Sequence, residues 1–332
     1  MRRGYLIVSL IILILLLSGC VSTGRFYGES KYVAGYTVRS FTYTNSLGEV
    51  KNRTIYLWYP SSDEPAVYRY LNMTGLVAVN GSIASDKPFP VVVFSHGYKG
   101  NGLQSLFITQ KLAEQGYVVA SIDHDDATFN WSNATLKRSK VLWNDSFFID
   151  RREDIKALID VLIELNNSDL LFGGSIDSSR IAGIGHSLGG YTTLGLVGGW
   201  SSWRDERVKL ALLFSPFIQP FSNLSSISTP IMIQGGTLDK DITPYIGEVY
   251  DNLPSPKYFL VLRGGTHFVW SNLACRWRKY TSVEECYDKC INIRLIVSYS
   301  AAFLDYYFRD DVNAQRYLHT GNPYLESYMY EE

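Results

Sequence analysis

The sequence predicts an α/β fold in which a mostly parallel sheet carries helices on both faces and an antiparallel hairpin precedes it. Short, largely apolar runs at 90–95, 117–123 and 208–214 are typical of parallel strands that are buried on both faces. Segments with apolar residues at helical spacing, such as 103–115 and 151–166, alternate with these runs. Alternation of this kind predicts crossover connections between parallel strands.

The composition fits one large globular domain of this class. Of the 332 residues, 46% are hydrophobic and 19% are charged, which is enough to bury a large core and excludes a disordered chain. The 31 Lys and Arg against 32 Asp and Glu give a formal net charge of −1, without the basic excess of a nucleic-acid binder. We expect one domain with loop insertions over 35–310 and a C-terminal tail over 311–332.

The first elements are predicted from alternation and turn residues. Residues 36–43 and 54–59 alternate with period two, and the turn Asn45-Ser46-Leu47-Gly48 between them predicts an antiparallel hairpin. Residues 65–90 are interpreted as a loop insertion, and residues 124–149 are polar and aromatic without periodicity.

The second half of the chain continues the alternation. Further strands are expected at 180–185, 208–214, 230–235 and 257–263. Further helices are expected at 188–198, 243–253 and 291–308. Together these elements predict a sheet wrapped by helices.

The N-terminal segment has the pattern of a secretory signal. Arg2 and Arg3 precede an apolar run over 5–17, which is shorter than the roughly 18–20 residues of a membrane span. The following Leu17-Ser18-Gly19-Cys20 resembles the lipobox of prokaryotic lipoproteins, in which the cysteine is lipid-modified. The resemblance implies a signal peptide over 1–19, lipidation at Cys20, a tether over 20–34, and a domain on the extracytoplasmic face of the cell membrane. The alternative, an uncleaved anchor, places the domain on the same side.

Two further patterns are typical of an exterior location. Eight of the sixteen asparagines begin Asn-x-Ser/Thr acceptor sites for N-glycosylation, namely Asn52, Asn72, Asn80, Asn130, Asn133, Asn144, Asn166 and Asn223. Apart from Cys20, the cysteines are Cys275, Cys286 and Cys290, so an oxidising compartment predicts one disulfide and one free thiol. The spacing leaves the pairing open, and the lack of histidine among them disfavours a metal site.

The strongest chemical signal is the segment Gly185-His186-Ser187-Leu188-Gly189. It fits Gly-x-Ser-x-Gly, follows the predicted strand over 180–185 and opens the predicted helix over 188–198. A serine on such a strand-to-helix turn is exposed at the sheet edge, and the helix N-terminus points N–H groups at a developing oxyanion. Ser187 is therefore the candidate nucleophile.

A serine nucleophile needs a base and an acid that orients the base. In sites of this kind the acid precedes the histidine, and each lies on a loop after a strand. Asp239 follows the strand over 230–235 and His267 follows the strand over 257–263, so they are the expected acid and base. Asp241 remains the rival acid.

The remaining histidines and the oxyanion donors are assigned by position. His96 and His186 are interpreted as hydrogen-bonding residues, and His319 as a surface residue. The loop after the strand over 90–95 brings Gly97 and Tyr98 to the sheet edge, so the Tyr98 N–H is expected to pair with the N–H of Leu188 as oxyanion hole. Residues 60–89 and 124–149, with Trp131 and Trp143, are expected either to rim the cleft or to form glycosylated surface loops.

These segments together resemble the α/β-hydrolase superfamily. Within it the chain is similar to the predicted dienelactone hydrolase and platelet-activating factor acetylhydrolase-like group, and its His-Gly-Tyr stretch resembles cutinase-like polyester hydrolases. The resemblance covers about residues 35–310. It implies the α/β-hydrolase fold, Ser187 as nucleophile, Asp239 as acid, His267 as base and the N–H groups of Tyr98 and Leu188 as oxyanion hole, with no metal or organic cofactor.

The resemblance implies hydrolysis of small-molecule or lipid esters with short-to-medium acyl groups, including phospholipid acetyl esters. Dienelactone hydrolases proper use cysteine as nucleophile, so a serine favours general ester hydrolysis. A polyester hydrolase or a peptidase with the same triad is the alternative, although no propeller-like domain precedes the hydrolase. A non-catalytic surface-binding lipoprotein is the alternative of another class, which the presence of all three triad residues disfavours.

Overall fold

The computed structural model describes residues 26–125, 144–218 and 221–332. In these residues one sheet has the strand order β11-β10-β9-β8-β7-β5-β6-β2-β1-β4-β3. The strands are β1 (Val33–Thr44), β2 (Val50–Ser61), β3 (Ala66–Arg69), β4 (Thr74–Val79), β5 (Phe89–Ser95), β6 (Val118–Ile122), β7 (Ile176–His186), β8 (Val208–Phe214), β9 (Ile231–Gly236), β10 (Lys257–Leu262) and β11 (Leu325–Glu331).

The helices connect the strands as crossovers or cover their faces. They are α1 (Leu106–Glu114), α2 (Ile149–Ser168), α3 (Leu188–Leu194), α4 (Thr243–Asn252), α5 (Asn272–Trp277), α6 (Val283–Lys289), α7 (Ile291–Arg309) and α8 (Val312–Leu318). A single π-helical turn over Gly195–Gly199 follows α3 directly. The predicted helices and their strands therefore alternate as expected.

The mostly parallel sheet and the hairpin are confirmed. Strands β6, β5, β7, β8, β9 and β10 pair in parallel, and β1 pairs with β2 antiparallel from Val33–Ser61 to Thr44–Val50. The Asn45 side-chain oxygen closes the hairpin turn by accepting from the N–H groups of Leu47 and Glu49 at 3.1 and 2.8 Å. An Asx-type turn of this kind stabilises the reversal locally.

Both faces of the parallel strands are buried, as their sequences predict. All seven residues of β5 are buried, and successive side chains point to opposite faces. Val92 and Phe94 pack in one hydrophobic cluster with α1 and α7, whereas Val91 and Val93 pack in the other with α2 and α4. The parallel strands consequently leave only their ends for a site.

Three segments differ from expectation. Residues 65–90 are not simply a loop insertion, because β3 and β4 extend the sheet there, with Thr74 donating to the Thr281 carbonyl at 2.9 Å. Residues 311–332, expected as a tail, instead form α8 and the edge strand β11, which pairs antiparallel with β10. The helix expected over 188–198 ends at Leu194, where the π-helical turn takes over. The first two of these segments depend on contacts with residues far away in the chain.

The predicted disulfide joins Cys275 of α5 to Cys286 of α6, and Cys290 is a buried free thiol. The bond closes the loop between the two short helices beside α7. None of the helices among the described residues is long and apolar enough to cross a membrane.

Candidate active site

Ser187 is the single residue between the end of β7 and the start of α3. Its backbone has φ 53° and ψ −116°, a conformation that costs a non-glycine residue of the order of 1–3 kcal/mol. Its N–H donates to the Phe214 carbonyl at 2.9 Å, and its carbonyl accepts from the N–H groups of Tyr191 and Phe217 at 3.1 and 2.8 Å. These hydrogen bonds hold the turn in its strained form and keep the serine at the C-terminal edge of the sheet.

The glycines of the motif are required by close backbone approach. A Cβ atom on Gly185 would overlap the carbonyl of Gly189, and one on Gly189 would overlap the carbonyl of Ser95. The first contact lies within the turn, and the second lies between the turn and the end of β5. Glycine at these two positions is therefore what allows the strand, the turn and the helix to pack so tightly.

Ser187, His267 and Asp239 form a continuous chain of hydrogen bonds. His267 Nε2 lies 2.9 Å from Ser187 Oγ, and His267 Nδ1 lies 2.8 Å from Asp239 Oδ2. A carboxylate only accepts, so in the neutral imidazole Nδ1 carries the proton and Nε2 is left to accept from the serine hydroxyl. This arrangement is chemically able to take the proton of Ser187 as its oxygen attacks an electrophile.

The two aspartates left open by the sequence have different surroundings. Asp239 is buried and bonded to His267, whereas Asp241 is exposed. The Asp239 N–H donates to the Gly236 carbonyl at 3.0 Å, and its own carbonyl accepts from Thr243 at 2.9 Å. This tight turn holds Asp239 against the end of β9 while the chain carries Asp241 into solvent.

Ser187, His267 and Asp239 thus lie together at the end of the parallel sheet. The fold that places them there is similar to that of a solved enzyme structure. The ferulic acid esterase from Streptomyces cinnamoneus superposes with a TM-score of 0.65 at 17% sequence identity, covering 92% of this chain and 98% of that one. The chain has an α/β-hydrolase fold like that of this esterase. The fold class predicted from the sequence is thereby confirmed.

Sequence comparisons relate this chain to two groups of esterases. The family model "Platelet-activating factor acetylhydrolase, isoform II" matches residues 66–160. Cutinase 2 of Thermobifida cellulosilytica is 32% identical over 185 residues, which cover 54% of this chain and 61% of that protein. The platelet-activating factor acetylhydrolase of Cavia porcellus is 25% identical over 178 residues, covering 42% of this chain and 38% of that protein. The chain thus spans less than two thirds of these relatives' length.

Ser215 belongs to the site but was not predicted from the sequence. It is fully buried, directly follows β8, and its hydroxyl donates to Asp239 Oδ2 while lying 3.2 Å from His267 Nδ1. Its backbone φ of 40° turns the side chain back over the sheet edge. The available signal was a serine at the end of a buried strand, the same kind of position that identified Asp239 and His267.

The two residues predicted to supply the oxyanion donors both lie near Ser187. Leu188 is the first residue of α3, so its N–H has no carbonyl of its own helix to donate to. A Cβ atom added to Gly97 would stand 3.4 Å from Ser187 Cβ, and both Gly97 and Tyr98 line the cleft with Ser187. The loop after β5 and the start of α3 are therefore brought together beside Ser187.

His186 links the loops that carry Gln104 and His267 instead of acting on Ser187. Its Nε2 donates to the His267 carbonyl at 2.7 Å, so its Nδ1 is left to accept from Gln104 Nε2 at 3.0 Å. Gln104 Oε1 in turn accepts from the Gly97 N–H at 3.0 Å. Burial, followed by the nearby His267, lowers the pKa of His186 to about 3, so its ring is neutral at ordinary pH. Gln104 carried no recognisable signal in the sequence.

Ser187 opens into a cleft of about 510 Å³. Its walls are largely apolar, and Leu71, Tyr98, Phe268 and Leu273 contribute to them. Arg276 adds a cationic group to the lining. The segment 60–89 thus supplies part of the cleft wall, whereas Trp131 and Trp143 lie outside the described residues.

Some of the other predicted site residues lie outside the described residues, and the rest differ in exposure. Cys20, the signal segment over 1–19 and the acceptor asparagines Asn130 and Asn133 also lie outside the described residues. The remaining acceptors are exposed at Asn52, Asn72, Asn80 and Asn144 and half-buried at Asn166 and Asn223. Within the described ranges, no group of three or more His, Cys, Asp or Glu side chains is arranged to hold a metal ion.

Proposed function

We propose that this chain is a carboxylic ester hydrolase that forms an acyl-enzyme on Ser187, with His267 as base and Asp239 as the acid that orients it. The single observation that carries the proposal is the hydrogen-bonded chain of these three residues at a strained strand-to-helix turn facing a cleft. The cutinases and the platelet-activating factor acetylhydrolase among its relatives support the same activity. Their names do not by themselves assign a substrate to this chain.

The geometry supports a mechanism in which these residues act in turn. His267 accepts the Ser187 proton as Oγ attacks the ester carbonyl, and the N–H groups of Leu188 and Tyr98 stabilise the oxyanion. His267 then donates that proton to the leaving alcohol, and Asp239 stabilises the transient imidazolium. A water molecule, activated by the same imidazole, hydrolyses the acyl-enzyme and regenerates Ser187.

The apolar walls of the cleft support esters with short-to-medium acyl chains as substrates. Phospholipid acetyl esters and polyesters are the two variants that the relatives suggest. Hydrolysis of p-nitrophenyl esters from C2 to C12 by the full chain in mild detergent tests the activity and sorts these variants by chain length. We expect Ser187→Ala to remove activity and fluorophosphonate labelling, and the matched variant Ser179→Ala, at an exposed serine, to retain both.

Three outcomes separate the alternatives. Hydrolysis of peptide but not ester substrates would favour the peptidase. Ester hydrolysis that survives Ser187→Ala would contradict the acyl-enzyme. No hydrolysis and no labelling of the folded chain would favour a surface-binding protein without catalysis.

We also propose that the protein is anchored by a lipid on Cys20 at the extracytoplasmic face of the membrane. The lipobox-like segment, the four exposed acceptor asparagines and the Cys275–Cys286 disulfide support this location, because disulfides persist in oxidising compartments. The test is detergent-phase partitioning of the expressed protein beside Cys20→Ala. An unchanged partition of Cys20→Ala would contradict lipidation, and intact-mass measurement would reveal whether residues 1–19 are removed.

A further inference from the structure

Arg151 is a buried arginine that reaches from α2 to the loop beside Ser187. It is 2% exposed, and its Nη1 donates to the His96 carbonyl at 2.7 Å. Its Nη2 donates to the next carbonyl, that of Gly97, at 3.3 Å. A charged guanidinium thus holds two successive carbonyls at the C-terminal end of β5.

The His96 side chain acts on the same carbonyl as Arg151. His96 Nε2 accepts from the backbone N–H of His124 at 3.0 Å, so the ring proton of the neutral imidazole is on Nδ1. Nδ1 then donates to the Gly97 carbonyl at 2.7 Å. The Gly100 N–H donates to it as well, at 2.9 Å. Three donors therefore converge on the Gly97 oxygen.

The Gly97 carbonyl and the Tyr98 N–H belong to one peptide group. In a planar trans peptide these two bonds point in opposite directions. Donors that hold the carbonyl on the Arg151 side therefore aim the N–H away from Arg151. Gly97 and Tyr98 both line the cleft with Ser187, and a Cβ atom added to Gly97 would stand 3.4 Å from Ser187 Cβ. A charged donor on the carbonyl also polarises the peptide and makes its N–H a stronger donor.

Arg151 is itself held by a second layer of polar groups. Its Nη1 lies 3.4 Å from Ser95 Oγ, which is 2.9 Å from His124 Nε2. His124 Nδ1 is 2.7 Å from Asp154 Oδ2, one turn after Arg151 on α2. Ser95, His124 and Asp154 repeat the order of a catalytic triad, but they are 2%, 1% and 0% exposed and are not among the residues that line the cleft at Ser187. Their contacts suit a fixed support for Arg151.

We propose that Arg151 is a positioning residue for the oxyanion hole, and that, together with His96, it orients and polarises the Gly97–Tyr98 peptide whose N–H receives the negative charge in the transition state. The proposal rests on the proposed esterase function. Arg151 is 2% exposed and is not among the residues that line the cleft, so its contribution is expected to reach the reaction through this peptide.

The test compares an ester with its thionoester, in which sulfur replaces the carbonyl oxygen and accepts hydrogen bonds poorly. Both are p-nitrophenyl substrates of the acyl length that the wild type cleaves best, and rates are normalised to the burst of active sites. Loss of a whole oxyanion donor costs roughly 10²–10³-fold in kcat, so a misaimed donor in Arg151→Met is expected to lower kcat for the ester about 10–100-fold with KM little changed. The thionoester rate should fall less than about threefold, because it depends little on that donor.

Arg152→Met is the matched control, since Arg152 is the adjacent arginine of α2 and donates to the Ser202 carbonyl instead. It should keep the wild-type ratio of ester to thionoester rates. Arg151→Lys retains the buried charge with a single donor group, so it should lower the same ratio by a smaller factor. It replaces Arg151→Met as the test if the methionine variant does not fold.

Equal losses on the two substrates would mean that Arg151 is merely structural and would overturn the proposal, as would an unchanged ratio in both Arg151 variants. Failure of the wild type to cleave any ester would instead overturn the proposed function. The two failures are therefore distinguishable.

Discussion

Replacing Asp239 by asparagine should remove most of the activity, and the size of the loss follows from the geometry. Asp239 Oδ2 lies 2.8 Å from His267 Nδ1, and the two side chains are 4% and 26% exposed. A unit charge pair with centres about 4 Å apart at an effective dielectric constant of about 20 interacts by about 4 kcal/mol. Since about 1.36 kcal/mol corresponds to a tenfold change in rate, we expect kcat to fall about 10³-fold.

The effect should appear in kcat and not in KM. The imidazole is neutral before the reaction and becomes charged only as it takes the serine proton, so the carboxylate acts mainly in the transition state. The assay is p-nitrophenyl ester hydrolysis with active sites counted by burst amplitude, accompanied by thermal unfolding to confirm that the variant is folded.

Asp241→Asn is the matched control, because it makes the same change on an exposed side chain two residues away. Its kcat should remain within about twofold of the wild type, as is usual for surface changes. A folded Asp239→Asn variant that keeps more than about a tenth of the activity, or an Asp241→Asn variant that loses as much, would refute the reasoning from the hydrogen bond.

Three further predictions concern the support of the site. Ser215→Ala should lower kcat about tenfold, since Asp239 loses a donor that fixes its carboxylate, and an unchanged kcat would contradict this role. Gly189→Ala should lower the free energy of unfolding in urea by at least about 2 kcal/mol, because its Cβ overlaps the Ser95 carbonyl. The control Gly247→Ala, with only an ordinary contact to Phe259, should not destabilise the fold. The pKa of His186 is about 3 in the folded chain against an ordinary 6.5, so the unfolded chain binds the proton first as pH falls. Protonation of His186 in the unfolded chain should thus lower the free energy of unfolding by about 1.4 kcal/mol per pH unit as the pH falls from 6 to 4. In urea unfolding, His186→Gln should show a correspondingly smaller decrease of this free energy with falling pH.

Much of the fold could be predicted because its signals are local. The buried runs that became β5, β6 and β8 are mostly apolar, and the turn at Asn45 carries its own side-chain acceptor. Elements that depend on distant partners were missed or misjudged. Strand β4 is held by Thr281, and β11 exists because β10 offers an unpaired edge.

The residues of the candidate site also divide into those that local sequence predicts and those that depend on distant partners. Ser187 was identifiable because close backbone contacts within and beside the turn require glycine at positions 185 and 189. These two glycines are part of the Gly-x-Ser-x-Gly motif. Ser215 and Gln104 were missed, since an ordinary serine or glutamine acquires its position only when separate strands and loops are assembled.

The sequence by itself determined the α/β class, the strand-to-helix turn at Ser187 and the histidine and aspartates available to serve it, because each is encoded by neighbouring residues. Only the tertiary structure decided that Asp239 contacts His267 while Asp241 faces solvent, and that Cys275 bonds with Cys286. It also decided that Arg151, more than fifty residues from Gly97, holds the peptide beside the serine. These hydrogen bonds join residues that are far apart in the sequence, so no local sequence pattern predicts them. Only the packing of the sheet and helices brings such residues within the few ångströms that a hydrogen bond requires.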